Sequence, residues 1–505
     1  MIKSNGGIIG PDNVTTGGAF GSASGVFKLG EVTNLIKESK WPTAGPQGFQ
    51  VANSCRFNDG SSDNLSRTQE SSANSQIFTY STWVKRSGLT GVKQEMVSGG
   101  SASTDFDMFY FDTSERLSYY SKTSGSENLD LATTKVFRDL SAWYHIVLAV
   151  DTTQGTASNR VKLYVNGVLE TAYAVGTYPS VNTNLFLNKA SQSQRIGRQA
   201  YSAIDFFDGY MAETVMIDGS QLAPTSFGEE NSQTGIWVPK SVTGLTFGTN
   251  GFYLPFTNSG ALGEDFSGND NDFTVNNLTS LDQSTDTCST NFATWNPLRT
   301  QAGFSKTMAD GNLSFTNSAG DNASIPSTMA ASSGIWYAEF KCTTSASNWG
   351  FGIAQVNQTI LSGGSMGGYP DSQGGVTYTK NGNLSWYNGG DQSSSTGTTF
   401  ATNDIIAILM DLDNTRVYWY KNDVLVNSGG FNYSVVNNGS TVENNYYFMA
   451  GSTDGGTDPI LVANFGSPSY AISSGNTDAN GFGNFEYTTK GGLALNTKNL
   501  AAVLG

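Results

Sequence analysis

With 505 residues, 37% hydrophobic and only 14% charged, the chain is too long for one core and suits two of about 200 residues each. Its 59 glycines, with much Ser, Thr and Asn, favour half-buried strands and tight turns over long helices, and 12% aromatic residues argue against disorder. A formal charge of −15 with no Lys/Arg run excludes nucleic acid as the main ligand, and no segment approaches the roughly 20 apolar residues of a membrane span.

In chain order, residues 1–50 begin as Gly-rich coil. Phe27, Val32, Leu35 and Ile36 then fall near helical spacing, with Ser24 as a cap and Pro42 as a stop, which predicts one short amphipathic helix. Such a helix must dock its apolar face on the following domain or on another chain. The opening MIKSNGGIIGPDN has no apolar h-region, so export through the Sec route is not expected.

Residues 51–240 read as an all-β sandwich of short strands: IFTYSTWVKRS, DMFYF, RLSYY, AWYHIVLAVD, RVKLYVNGVLE, FLNK, QRIG and FFDGYMAETVMID. Val161, Leu163 and Val165 alternate with polar positions before Asn166-Gly167, a pair suited to a type I′ hairpin. Residues 241–303 form a connector expected to be ordered, with Tyr253–Phe256 and Phe273–Val275 as a strand pair around LGEDFSGNDND. A second strand-rich block, 304–487, holds GIWYAEFKC, SNWGFGIA, GVTYTK, NLSWYN, NDIIAILMDLDN, RVYWYKNDVLV, NYYFMAGS and LVANFG, and 488–505 is a C-terminal tail.

Glycoside hydrolysis needs two carboxylates about 5 to 9 Å apart across a cleft. Glu213 and Asp218 have odd spacing and would face opposite sides of a regular strand, and Glu264-Asp265 sits in a turn, so an enzyme is not expected. His145, the sole histidine, reads as a packed, hydrogen-bonded core residue rather than a triad base, and no G-x-S-x-G elbow precedes a helix. Cys55, Cys288 and Cys342 lack metal-ligand spacing and read as small buried hydrophobes. Asp265, Asn269, Asp270 and Asp272, and separately Asp411 and Asp413, offer hard oxygens to Ca²⁺, but Asx-rich turns have the same composition without metal. The expectation is no metal and no cofactor.

The stretch from Thr234 to Leu298, including LPFTNSGALGEDFSGNDNDF and STNFATWNPL, resembles a connector of marine tailed-bacteriophage structural proteins, where it joins a laminin-G-like (concanavalin-type) sandwich to a SPRY-like one. TWVKRS, AWYHIVLAVD, KLYVNG and FDGYMAE resemble the laminin-G-like family, whose core strands form a jelly roll. The W-Y-x-E strand at Trp336, the strand SNWGFGIA around Trp349 and the Y-K-N hairpin at Tyr420 resemble the SPRY family, with Asn403 and Asp423 where glycine is usual. SGVFKLGEVTNLIKESKWP resembles an N-terminal signature of phage virion proteins, with Phe27 in place of the usual tryptophan.

The resemblance implies two tandem jelly-roll-like sandwiches in a non-enzymatic virion surface protein of the tail-fibre or spike type, made in the host cytoplasm and released by lysis. Residues Phe27, Val32, Leu35, Ile36 and Trp41 would dock the arm on other virion proteins. Host-surface glycan or protein would meet loop aromatics and polar groups: Tyr369, Trp386, Tyr387, Asn388 and Asp391 in the second sandwich, Tyr201, Phe206 and Phe207 in the first. Either Trp386 or Tyr387 could instead alternate into the core. Fibres of this type are often trimers; no heptad pattern supports one here, so a homo-oligomer would rest on sandwich contacts or on the arm. A capsid or tail decoration protein is the alternative, and a polysaccharide depolymerase a third reading.

Overall fold

The computed structural model describes residues 7–10, 25–28, 48–69, 73–89, 91–231, 234–299, 306–317, 323–344, 348–356, 375–387, 391–433, 445–453 and 459–504. It is nearly all-β and divides into two units, Met1–Gln50 with Thr225–Thr243, and Val51–Pro224 with Gly244–Gly505. In the smaller unit Gly7–Gly10 pairs antiparallel with Gly25–Lys28, and Gly228–Glu230 with Trp237–Pro239. The helix expected from Ser24 onward is therefore wrong at its start: Phe27 lies in a strand, as β-favouring Val26 and Phe27 beside Gly25 allow. Val32, Leu35, Ile36 and Trp41 lie outside the described residues.

The larger unit holds four large antiparallel sheets. In the first sandwich, one sheet runs Val168–Leu169, Val161–Val165, Tyr144–Asp151, Ile77–Arg86, Gly209–Asp218, Ser54–Phe57, Gln283–Ser284; it is called here the Trp83 sheet. The facing sheet, the Tyr110 sheet, runs Tyr173–Thr177, Ser126–Val136, Arg116–Thr123, Asp105–Phe111, Gln94–Ala102, Ser193–Ile196, Asn64–Thr68, Thr274–Asn276. Alternation decides what lies between them. Phe78, Tyr80, Ile146, Leu148, Leu163 and Met216 from one sheet meet Phe109, Phe111, Leu117, Tyr119, Leu129 and Leu131 from the other in a single buried core.

The Asn166-Gly167 turn has positive φ at both residues, 48° and 78°, as a type I′ hairpin requires. Asn422 and Asp423 repeat this at 47° and 72° in the second sandwich, so aspartate there keeps the turn that glycine would give. Asn403, also in a usual glycine position, takes φ 69°.

Two local expectations fail. FLNK is a short 3-10 turn, Phe186–Asn188, with all three residues buried, not a strand. In the connector, Phe252–Leu254 and Thr274–Asn276 do not pair with each other. The first adds to Gly209–Asp218 in the Trp83 sheet and the second to Asn64–Thr68 in the Tyr110 sheet. Phe252, Leu254, Phe256, Leu262, Phe273 and Leu278 thereby enter the first core, because each short strand can bury its apolar side only by extending a sheet that already has one.

In the second sandwich, Lys306–Ala309, Ser314–Asn317, Ile460–Asn464, Ile335–Cys342, Ile406–Asp411, Arg416–Lys421 and Val424–Leu425 form one sheet. Ala323–Pro326, Tyr446–Thr453, Asn348–Gln355, Gly375–Thr379, Asn383–Tyr387 and Asp391–Ser395 form the other. Between them lie Trp336, Phe340, Phe351, Trp419, Phe448 and Phe465. The C-terminal residues are no loose tail: Leu493–Ala494 pairs parallel to Ile335–Cys342, and the helix Thr497–Leu504 lays Leu500 and Val503 on this core. Asn496 caps that helix by accepting the amide of Asn499 at 2.9 Å. Buried Glu339 fastens the same segment by accepting the amides of Glu486 and Tyr487 at 2.9 and 2.8 Å. Among the described residues no helix is long and apolar enough to cross a membrane.

The sandwiches meet through polar groups. Buried Lys85 reaches Asp286 at 2.7 Å and Asn291 Oδ1 at 2.8 Å. Tyr210 donates to the Gly311 carbonyl at 2.9 Å, Asn312 to the Ser87 carbonyl at 2.7 Å, and the hydroxyls of Ser284 and Ser467 lie 2.7 Å apart.

Candidate functional site

In the strand Asp105–Phe111, Phe109 and Phe111 point into the core, so Phe106, Met108 and Tyr110 project from the outer face of the Tyr110 sheet. An outward row of this composition needs cover, and Tyr120 and Tyr201 supply it. The Phe106 ring lies 4.6 Å from Tyr201 and 5.9 Å from Tyr120, centroid to centroid. Lys93 sits over the Tyr110 ring at 5.0 Å.

Tyr201 arrives from a loop between Ser193–Ile196 and Gly209–Asp218. The loop is closed by the Phe207 amide on the Gly197 carbonyl (2.9 Å) and the Gln199 amide on the Ile204 carbonyl (3.2 Å). Its Asp205 carbonyl accepts the Glu95 amide at 3.0 Å, and Gln199 Nε2 lies 3.2 Å from the Met108 sulfur. Gly197 is required: at φ 89°, a Cβ there would sit 2.9 Å from the Phe57 ring.

Register defines a row of outward residues across the sheet. Ser66 pairs with Arg195, Arg195 with Ser98, Ser98 with Met108, Met108 with Tyr120 and Tyr120 with Asp130. At about 4.8 Å per strand, Arg195 and Tyr120 stand about 14 Å apart, a span that suits a short oligosaccharide. Glu95, beside this row and paired with Tyr110, is fully buried. Burial, with the charge of Asp205, pushes its carboxyl well above the usual range. Burial also raises Asp205 and Asp130. A tyrosine-faced apolar strip edged by carboxyls, hydroxyls and guanidiniums can stack on a pyranose and order its hydroxyls.

The residues singled out from sequence distribute unevenly. Tyr201 joins this face. Phe206 beside it is half-buried, whereas Phe207 is fully buried in the core with its ring against Phe57 and cannot meet a ligand, a correction to the expectation. Trp386 is half-buried and packs on Phe431 at 4.9 Å beside the second core, so it alternates inward. Tyr387 and Asp391 end their strands and are described by backbone alone; Tyr369 and Asn388 lie outside the described residues.

Catalytic arrangements are poorly served. His145 is fully buried, stacked on Trp83 at 4.8 Å, with Nε2 2.9 Å from the Ser81 hydroxyl. Burial lowers it to about 3, and it is packed and hydrogen-bonded in the sheet, as expected. A bulge after Ala212 gives Glu213 a φ of 48°, and Glu213 accepts the Tyr253 hydroxyl at 2.7 Å; burial raises it to about 7. Asp218 is consumed by the Asn74 and Asn250 amides and the Asn188 side chain.

Asp265 accepts the amides of Tyr253, Ser267 and Asn271 and the Ser267 hydroxyl, and Asp272 accepts the Asp265 amide. Asn269 and Asn271 both donate to the Gly251 carbonyl. These side chains knit the connector turn. Asp411 accepts both the amide and side chain of Asn414, and Asp413 the Gly334 amide. Among the described residues no three His, Cys, Asp or Glu side chains converge as a metal site. Cys55 and Cys342 are buried free thiols in the two cores, and Cys288 is a half-buried one.

The first sandwich thus has the fold of the laminin-G-like class: residues 59–221, about a third of the chain, match the family described as the concanavalin A-like lectin/glucanases superfamily. No curated protein sequence matches the chain. Similar solved structures include the SPRY domain of human HERC1, 14% identical, TM-score 0.26, covering 34% of this chain and 96% of that one. A native heptameric SAP-like pentraxin from Limulus polyphemus is 14% identical, TM-score 0.25, covering 39% and 94%. Domain 4 of an extracellular arabinanase from Geobacillus stearothermophilus, in complex with arabinotriose, is 18% identical, TM-score 0.22, covering 30% and 64%.

Proposed function

We propose that this chain is a non-enzymatic surface protein of a tailed-bacteriophage virion, of the fibre or spike type, that attaches to glycan or protein on the host cell. The phage assignment rests on the resemblance of the 234–298 connector and of the Ser24–Pro42 segment. The adhesive role is carried by one observation: the tyrosine-faced outer strip of the Tyr110 sheet, with Tyr120 and Tyr201 half-exposed over buried Phe106 and Met108. The engaged states of Glu213, Asp218 and His145 support binding without turnover. Many copies on one particle would multiply a weak single-site affinity.

The test is competition: purified protein should block adsorption of the parent phage to its host in a dose-dependent way, and the Tyr120→Ala/Tyr201→Ala double variant should lose that block while keeping its fold. Absence of both blocking and cell binding by the wild type would overturn the adhesin reading. Decoration of a capsid or tail is the second reading. It is favoured by two sheet edges that each expose a Val-Leu pair, Val168-Leu169 (63% and 41% exposed) and Val424-Leu425 (70% and 43%), suited to contacts with neighbouring subunits.

A further inference from the structure

We propose that the Arg195 end of the outer strip binds a carboxylate or sulfate carried by the glycan, making the first sandwich selective for acidic saccharides. This rests on the adhesin reading only in taking a saccharide as the ligand. Arg195 projects outward between Ser66 and Ser98, in the row that leads through Met108 to Tyr120. Its guanidinium makes no hydrogen bond or ion pair with any described residue, although its Nε is shielded from solvent. Arg198, at the root of the Tyr201 loop, uses only Nη1, on the carbonyls of Gln199 (3.2 Å) and Ser202 (2.8 Å). Neither arginine has an ion-pair partner among the described residues.

Two half-buried guanidiniums without a counter-ion are costly, and a bidentate anion is the group that relieves such a cost. Burial lowers both below the ordinary arginine range, and the charge of Arg198 lowers Arg195 further. The surrounding acids do not fill the gap. Asp112 is held by Arg116 at 2.7 Å, and buried Glu95 makes no ion pair with either arginine, although its charge would favour Arg198. Asp205 is offset by Lys93. Glu127 and Asp130 stand at the opposite end, around Tyr120, with Lys122 over that ring. The strip is therefore polarised, cationic at Arg195 and Arg198 and acidic beyond Tyr120. A saccharide stacked on the tyrosines would be oriented with its acidic substituent at the arginines.

The experiment is calorimetric titration of the full chain with three oligosaccharides of equal length: an oligogalacturonate, a sulfated galacto-oligosaccharide and the neutral galacto-oligosaccharide. At least one acidic ligand should bind about tenfold tighter than the neutral one, with affinity falling as salt rises. Whichever acidic ligand binds distinguishes carboxylate from sulfate. Arg195→Gln should weaken the acidic ligand about tenfold and leave the neutral one unchanged, with a melting temperature no lower than that of the wild type; Arg195→Lys should recover part of the loss. Equal binding of neutral and acidic ligands, or acidic binding untouched by R195Q but abolished by Y120A, overturns the anion subsite and leaves the adhesin reading standing. If no saccharide binds while adsorption is still blocked, the inference falls and the receptor is a protein. If neither occurs, both fall.

Discussion

Replacing Lys85 by Met tests how the two sandwiches are held together. Lys85 and Asp286 are 2.7 Å apart with side chains 2% and 1% exposed, and Lys85 also binds Asn291 and lies 5.4 Å from the Tyr210 ring centre. Methionine fills a similar volume but leaves Asp286 buried with one neutral donor on its side chain, the Trp143 indole at 3.1 Å, and a long contact to the Phe292 amide. Stranding a buried charge costs about 3–5 kcal/mol, against about 1 kcal/mol or less for an exposed ion pair. At about 2–4 °C per kcal/mol for a domain of this size, the melting temperature should fall by roughly 6–20 °C. Lys85→Met/Asp286→Leu should recover much of the loss, because the orphaned charge is gone. Scanning calorimetry with tryptophan fluorescence reads both. A loss below about 1 kcal/mol for Lys85→Met, or a double variant no better than the single, would refute the argument.

Asp208 should make stability fall as pH rises. Burial and neighbouring Asp59, Asp310 and Asp63 raise it from 3.8 to about 8, so between those values the folded chain holds a proton that the unfolded chain has released. Its contribution is complete below about pH 4 and lost as pH passes 8; Asp208→Asn should therefore gain on the wild type steadily from pH 5 to 8.5 in thermal melts, and a pH-independent difference would contradict this. Gly311→Ala should cost about 1–3 kcal/mol in denaturant titrations, because at φ 66° a Cβ would lie 2.1 Å from the Tyr210 hydroxyl, and an unchanged midpoint would rule out that contact. Deleting residues 1–42 should leave the sandwiches folded by circular dichroism yet abolish incorporation into particles; normal incorporation would sink the attachment arm.

The strands were legible because alternation and turn chemistry are local. Val161, Leu163 and Val165 before Asn166-Gly167 state both face and turn within a few residues. Strand partners are not local, and so Phe252–Leu254 and Thr274–Asn276, read as a pair, belong to opposite sheets. The C-terminal helix left a readable sign, Asn496 followed by Leu500 and Val503 at helical spacing, which the expectation of a tail passed over. The outer aromatic strip escapes a local reading for another reason. Gly-rich loops are where ligand residues are expected, whereas DFDMFYF carries apolar groups at both parities, Phe106, Met108 and Tyr110 beside Phe109 and Phe111. A strand apolar on both faces, in a sheet whose outer side meets no other sheet, was the available signal. The lack of a partner for Arg195 depends on three neighbouring strands and has no signature in its own segment.

The connector has a mechanical consequence. Its strands are hydrogen-bonded into both sheets of the first sandwich before the chain crosses at Gln283–Ser284, Asp286 and Phe292 into the second. Tension applied across the larger unit would find no slack tether to extend first. It would load several ladders and the Lys85–Asp286 contact together, in shear. Pulled in an optical trap, the unit should hold a constant length up to one high-force rupture, delivering force from one sandwich to the other without loss of reach.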